Sequence, residues 1–352
     1  MDRRPDSLAR RLLRSLLLWY AMAQAGALLA LPEGYVGAKT CGGCHPHEYA
    51  TQSKSHHAEA LHTGAAIAQF PFLPANTVSE NSDPKSARFE FRKGAREFLV
   101  KVTLGGRQVD LHVDWIMGAN DQGLTFFSRL PGGEFLEHRL TYYRRIGNYD
   151  ITPGQSSNMS NTVEQAFGLP LTAASAAQCL RCHSTYLRQT QDGPDYDSVL
   201  PGVTCERCHG PGAQHVRAIR SKSADRKIQN PGKLSGDELV LFCGECHRTE
   251  PPPGTDFDAP IVARFQPVGL QMSACFQKSN GAINCLTCHN PHENARREDD
   301  AFYNGRCLGC HGAQSTQRCK IRPNEGCVGC HLPKLTPVPH VKFADHWIRV
   351  RQ

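Results

Sequence analysis

Residues 284–331 decide how the chain is read. They carry Cys285-Leu286-Thr287-Cys288-His289, Cys307-Leu308-Gly309-Cys310-His311 and Cys327-Val328-Gly329-Cys330-His331, one five-residue pattern repeated three times. In each copy two thiols are spaced to add across the two vinyl groups of one haem, and the adjoining imidazole is placed to take an axial position on its iron. Four further copies lie upstream: Cys41-Gly42-Gly43-Cys44-His45, Cys179-Leu180-Arg181-Cys182-His183, Cys205-Glu206-Arg207-Cys208-His209 and Cys243-Gly244-Glu245-Cys246-His247, making seven. Zinc knuckles and redox dithiols reuse the paired cysteines, but neither requires the histidine that follows every pair here. The expected cofactor is therefore haem c, seven groups held by fourteen thioether sulfurs. His45, His183, His209, His247, His289, His311 and His331 are the expected proximal iron ligands.

Composition agrees with that reading. A hydrophobic fraction of 39% over 352 residues is low for a chain that buries a core unaided, and large flat porphyrins would supply the missing apolar surface. The expected fold class is mainly α with many loops, a multihaem cytochrome c packed around seven haems, with a small antiparallel β insertion. The formal charge of +7 invites a nucleic-acid reading, but residues 1–25 carry a net charge of about +3 and each oxidised haem adds about −1. The mature, loaded protein then comes to about −3, so no nucleic-acid role is assigned. Cys275 and Cys319 remain outside the motifs. In an exported protein they are a disulfide, two separate buried thiols, or a thiolate close to a haem iron.

Along the chain, residues 1–30 combine arginines at 3, 4, 10, 11 and 14 with an apolar run and the small residues Ala23-Gln24-Ala25, the order of a secretory signal. The alternative is an uncleaved membrane anchor at the short limit for a span. Residues 33–75 form a first haem-binding segment, with a helical pattern over 48–61. Residues 85–150 form a haem-free β-rich insertion: Phe98, Val100, Val102 and Leu104 alternate with polar residues, then Val109, Leu111, Val113 and Trp115 do so across Gly105-Gly106. Residues 170–352 form a six-haem domain whose successive motifs are offset by 26, 38, 42, 22 and 20 residues. Breaks at Pro231-Gly232 and Pro251-Pro252-Pro253 predict only brief helices and loops there.

Ten histidines remain for the second axial positions: His47, His56, His57, His62, His112, His138, His215, His292, His340 and His346. His112 sits on the polar face of its predicted strand and reads as solvated, as does His47. His62, His138 and His340 stay open between ligand and structural roles, and Met159 and Met272 are remote thioether candidates. Several stretches resemble multihaem cytochromes of the cytochrome c-554 type, in the superfamily that also holds hydroxylamine oxidoreductase and cytochrome c nitrite reductase. They are Tyr35-Val36-Gly37-Ala38-Lys39-Thr40 with Ser55-His56-His57-Ala58, Gly202-Val203-Thr204-Cys205 through His215, Cys288-His289-Asn290-Pro291-His292 and Asp345-His346-Trp347-Ile348. The resemblance implies that His57, His215, His292 and His346 are distal iron ligands, with His57 preferred to His56. Leu332 stands where many relatives have Met, and no Cys-x-x-Cys-Lys occurs, which counts against nitrite reductase activity.

The function expected from these readings is electron transfer by an exported, periplasmic heptahaem cytochrome with mostly bis-His iron and no catalytic residues. The alternative is a multihaem oxidoreductase acting on a small nitrogen or sulfur compound at one open iron. The expected partners are redox proteins, a membrane respiratory complex among them; contact with the membrane itself is expected only if the N-terminal segment is uncleaved.

Overall fold

In the computed structural model, residues 31–350 are described apart from 132, 317 and 323. The predicted secretory signal over 1–30 lies outside the described residues. Among the described residues eleven strands lie between the first and second motifs: β1 (Leu61–Thr63), β2 (Thr77–Ser79), β3 (Arg88–Lys93), β4 (Phe98–Leu104), β5 (Arg107–His112), β6 (Trp115–Met117), β7 (Gly123–Arg129), β8 (Phe135–His138), β9 (Leu140–Tyr143), β10 (Asn148–Ile151) and β11 (Gly168–Leu171). The β4–β5 hairpin forms as the alternation predicts. Its turn, Gly105-Gly106, has φ of 59° and 79°, a conformation that costs glycine little and other residues more.

Two antiparallel sheets result. One is the meander β2-β3-β4-β5; the other runs β1-β6-β7-β8-β11, with β9 paired to β7 and β10 to β9. They share an aromatic core in which Phe91 stacks on Tyr149 with ring centres 3.7 Å apart and Phe98 meets Phe126 edge-on at 5.2 Å. The period-two rule sends Ile116 into this core and its neighbours Trp115 and Met117 to the opposite face. There Trp115, Phe127 and Phe135 pack against Leu180 of the helix Ala173–His183. The haem-free sheet thereby fixes the helix that carries the second Cys-x-x-Cys-His motif.

The expectation of a mainly α chain is corrected: among the described residues 31% are helical and 24% lie in strands. The insertion is two sheets rather than one, and strand also occurs inside the region that carries the last six motifs. There β12 (Ser184–Thr190) pairs with β13 (Gly193–Pro201), and β14 (Lys334–Val338) with β15 (Val341–Ala344). A two-residue turn, Gln191-Asp192, closes the first hairpin, and Gly193 at φ 110° opens β13.

The helices are also longer than predicted. Ala173–His183, Gly236–His247 and Asp300–His311 each end on a motif histidine and begin on a side-chain cap, from Thr172, Ser235 and Asp299. By contrast the helix expected over 48–61 stops at Gln52 (Pro46–Gln52), and the Ser55 hydroxyl accepts from the Ala58 amide at 3.2 Å. Serine offers the backbone a local alternative to the helix, so His56 and His57 sit on a turn.

Candidate haem sites

The seven motif cysteine pairs lie on or beside helices, several of which bury none of their own side chains. Ala38–Gly42, Cys285–Cys288, Asp300–His311 and Cys327–His331 contain no buried residue. Where the sheets have an apolar core, this part of the chain has imidazoles facing one another. His45 faces His215 with ring centres 6.4 Å apart, His57 faces His247 at 6.1 Å, His209 faces His292 at 6.1 Å and His289 faces His346 at 6.2 Å. Two imidazoles bound to opposite faces of one metal, with metal–nitrogen bonds of about 2.0 Å, set their ring centres about 6 Å apart. In every pair one ring belongs to a motif and the other is one of the four histidines singled out as distal.

Ring orientation is set from behind. A carbonyl lies against Nδ1 of His183 (Ala60, 3.0 Å), His209 (Gln229, 2.9 Å), His215 (Arg226, 2.7 Å), His331 (Arg349, 2.9 Å) and His346 (Ala344, 3.0 Å). The Gln266 amide oxygen lies 3.3 Å from His247 Nδ1. Donation from Nδ1 fixes the tautomer that leaves Nε2 with its lone pair, the form a metal binds. Burial acts the same way: it holds His57, His183, His247, His289 and His292 below the usual imidazole range, and His346 down to about 4, so these rings are neutral at pH 7. The donor set fits haem c. Among the described residues no group of three or more His, Cys, Asp or Glu side chains converges on a point.

Neighbouring motifs touch in an order different from their order in the chain. The helix Ala38–Gly42 meets Cys205–His209; Ala173–His183 meets Gly236–His247, which also meets Cys285–Cys288; and Asp300–His311 meets both Cys285–Cys288 and Cys327–His331. The sulfurs follow. Cys41 of the first motif lies beside Cys205 of the third, and Cys182 of the second beside Cys246 of the fourth. Arg207, inside the third motif, lies 3.8 Å from Cys246 Sγ and 3.7 Å from Glu245 of the fourth. Its neighbour Glu206, 3% exposed, accepts backbone hydrogen bonds from Val36 (2.9 Å), Gly37 (2.8 Å) and Gly212 (2.8 Å). Sequence reading missed both residues, because the two positions between the cysteines carry no signal in the motif itself.

The remaining histidines divide cleanly. His138 is buried in the sheets, with Nε2 2.7 Å from the Ser128 hydroxyl. His340 Nε2 lies 2.6 Å from Asp150, and His56 Nδ1 lies 3.6 Å from Asp121. His47 and His112 are exposed, while His62 Nε2 is buried without a hydrogen-bond partner among the described residues. Among those residues no imidazole stands about 6 Å from the ring of His183 or His331. Cys275 and Cys319 are not bonded to each other. No helix among the described residues is long and apolar enough to cross a membrane.

Comparison with known proteins places this geometry. The family described as cytochrome c554 and c-prime matches residues 150–210. The dissimilatory sulfite reductase MccA of Wolinella succinogenes is 21% identical over an alignment of 406 positions that takes in 90% of this chain and 53% of the relative. The chain thus spans about half the length of that curated relative. Among solved structures, the crystal structure of the outer cell wall cytochrome OcwA superposes with a TM-score of 0.51 at 15% identity, covering 90% of this chain and 80% of that one. That likeness is one of fold.

Proposed function

From the premise that this chain is a multihaem c-type cytochrome with a redox role, we propose that it is an exported electron carrier holding seven haems. Four of them sit between the facing imidazoles His45 and His215, His57 and His247, His209 and His292, and His289 and His346. The carrying observation is the ring separation of 6.1–6.4 Å common to all four pairs. When bound, haem c supplies a one-electron redox couple at each site. The chain's own residues do the rest: paired cysteines fix each group, carbonyls behind Nδ1 orient the rings, and motif helices in contact keep successive sites close. A strong second imidazole stabilises low-spin iron and leaves no position for substrate, which suits transfer without chemistry.

The test is direct. Whole-protein mass together with pyridine haemochrome absorbance should give seven haems per chain, and ferric paramagnetic resonance should show at least four low-spin centres. His57→Ala and His292→Ala should each convert one low-spin centre to high spin. A chain with fewer haems, or two variants with unchanged spectra, would refute the proposal.

A second reading, an oxidoreductase acting on a small sulfur or nitrogen compound, is favoured by two observations: among the described residues His183 meets no second imidazole ring, and a relative aligned over 90% of this chain is a sulfite reductase. Sulfite or nitrite that perturbs a high-spin ferric signal would support it. An oxidised spectrum unmoved by either anion would remove it.

A further inference from the structure

We propose that Asp121, in the loop joining β6 to β7 of the haem-free sheet, is a positioning residue for two distal imidazoles at once, His57 opposite His247 and His292 opposite His209. The proposal rests on the axial pairing above. His57 and His292 lie on separate loops, 53–60 and 289–299, and neither loop has a helix or strand to hold its ring. The loops are tied to each other instead: Asn294 Oδ1 accepts from the His56 amide at 2.6 Å. Asp121 closes the arrangement from outside. One of its oxygens lies 2.6 Å from Arg297 Nη1 and 3.6 Å from His56 Nδ1, so a single carboxylate grips the residue before His57 and the strand of loop after His292.

The loop that carries Asp121 is itself anchored to the same turn. The Gly118 amide donates to the Ala60 carbonyl at 3.0 Å, and Asn120, at φ 62°, donates from its amide to Glu59 at 3.5 Å. The Gln122 side-chain oxygen, in the orientation its neighbours require, accepts from Arg297 as well. The Asp121 and Arg297 side chains are 30% and 44% exposed, and an ion pair so screened adds little to global stability. What it can do is fix two loops in place. A metal ligand must be held within about 0.5 Å of its working position, and residues behind the ligand do this. The haem-free insertion acquires a role by this route: it reaches back to set two iron ligands that belong to other segments.

The experiment compares fully loaded wild type with Asp121→Ala, Asp121→Glu and Arg297→Gln by ferric paramagnetic resonance, carbon monoxide titration of the reduced form, haem content and melting temperature. Asp121→Ala and Arg297→Gln should gain high-spin signal and up to two additional haem equivalents of carbon monoxide binding, at unchanged haem content. Asp121→Glu should restore the wild-type spectra. Spectra identical to wild type in both disrupting variants overturn the proposal, as does a lowered melting temperature with no change in spin state. The single variants His57→Ala and His292→Ala separate the two levels. If they lose low-spin signal while Asp121→Ala does not, only the positioning role fails; if they too are silent, the axial pairing fails and this inference with it.

Discussion

Glu206→Gln offers a sharp test of how the first and third sites are joined. The Glu206 carboxylate is 3% exposed and accepts from three backbone amides, with Oε1 serving Val36 and Gly212 and Oε2 serving Gly37. Glutamine keeps the shape but has one acceptor oxygen, so its NH2 group must face at least one N–H donor. Loss of one charge-assisted hydrogen bond costs about 1.5–3 kcal/mol, and a buried donor left unpaired costs about 1–3 kcal/mol more. Local destabilisation of about 3–5 kcal/mol follows. The amides of Val36, Gly37 and Gly212 flank His45 on one side and His215 on the other, so the opening should be local to that pair. Hydrogen exchange of the holoprotein reads this directly. An opening easier by about 3 kcal/mol accelerates exchange in residues 34–37 and at 212 by roughly a hundredfold. Exchange within about threefold of wild type would show that the carboxylate does not carry this junction.

Three further outcomes are expected. Glu80→Ala strands the Arg139 guanidinium, whose side chain is 6% exposed and which otherwise donates to Glu80 and to the Ser156 and Asn158 carbonyls; a loss of about 3–5 kcal/mol should appear in thermal melts without a change in the haem spectrum. Burial lowers the His138 imidazole to about 3 while the unfolded ring titrates near the usual ~6.5, so its contribution is fully present above that value and is lost as pH falls towards 3; His138→Gln should flatten the pH dependence of sheet stability in this window. Phe98→Ala removes a wholly buried ring between the two sheets and should cost about 3–5 kcal/mol in denaturant unfolding, with haem content unchanged.

What the sequence made legible follows the strength of each local signal. The β4–β5 hairpin was readable because strict alternation flanks two glycines, and the four histidines whose rings face motif imidazoles because each lies in a short stretch of characteristic spacing. The helix expected over 48–61 fails where the Ser55 hydroxyl takes up the Ala58 amide. The hairpins β12–β13 and β14–β15 were hidden because cysteine spacing dominated the reading of that region, and the longer helices because their caps sit several residues ahead of the motifs. Glu206, Arg207 and Asp121 were beyond reach for a different reason. Each acts on a partner far away in sequence, 170 positions for Glu206 and Val36, and nothing in its own neighbourhood marks that partner.

The same long reach bears on how the protein comes together. Each proposed iron ligand pair joins segments far apart in the chain, and the pairs interlock: the loop from His57 to His247 contains His209 and His215, whose own partners, His292 and His45, lie outside it. Closing loops of such length is entropically costly, although the cost rises only about 0.6 kcal/mol for each doubling. The motif helices Cys285–Cys288, Asp300–His311 and Cys327–His331 bury no side chains with which to offset that cost. The sheets are differently placed, since β3 to β10 are near neighbours in sequence and share an apolar core of their own. Local contacts of that kind form first. The sheets can therefore fold as a platform, with Leu180 docking the second motif on Trp115 and Phe135, while the remaining sites close only as their distant ligands arrive. On this account, loss of a distal ligand such as His292 should slow maturation of the haem region and leave the sheet platform intact.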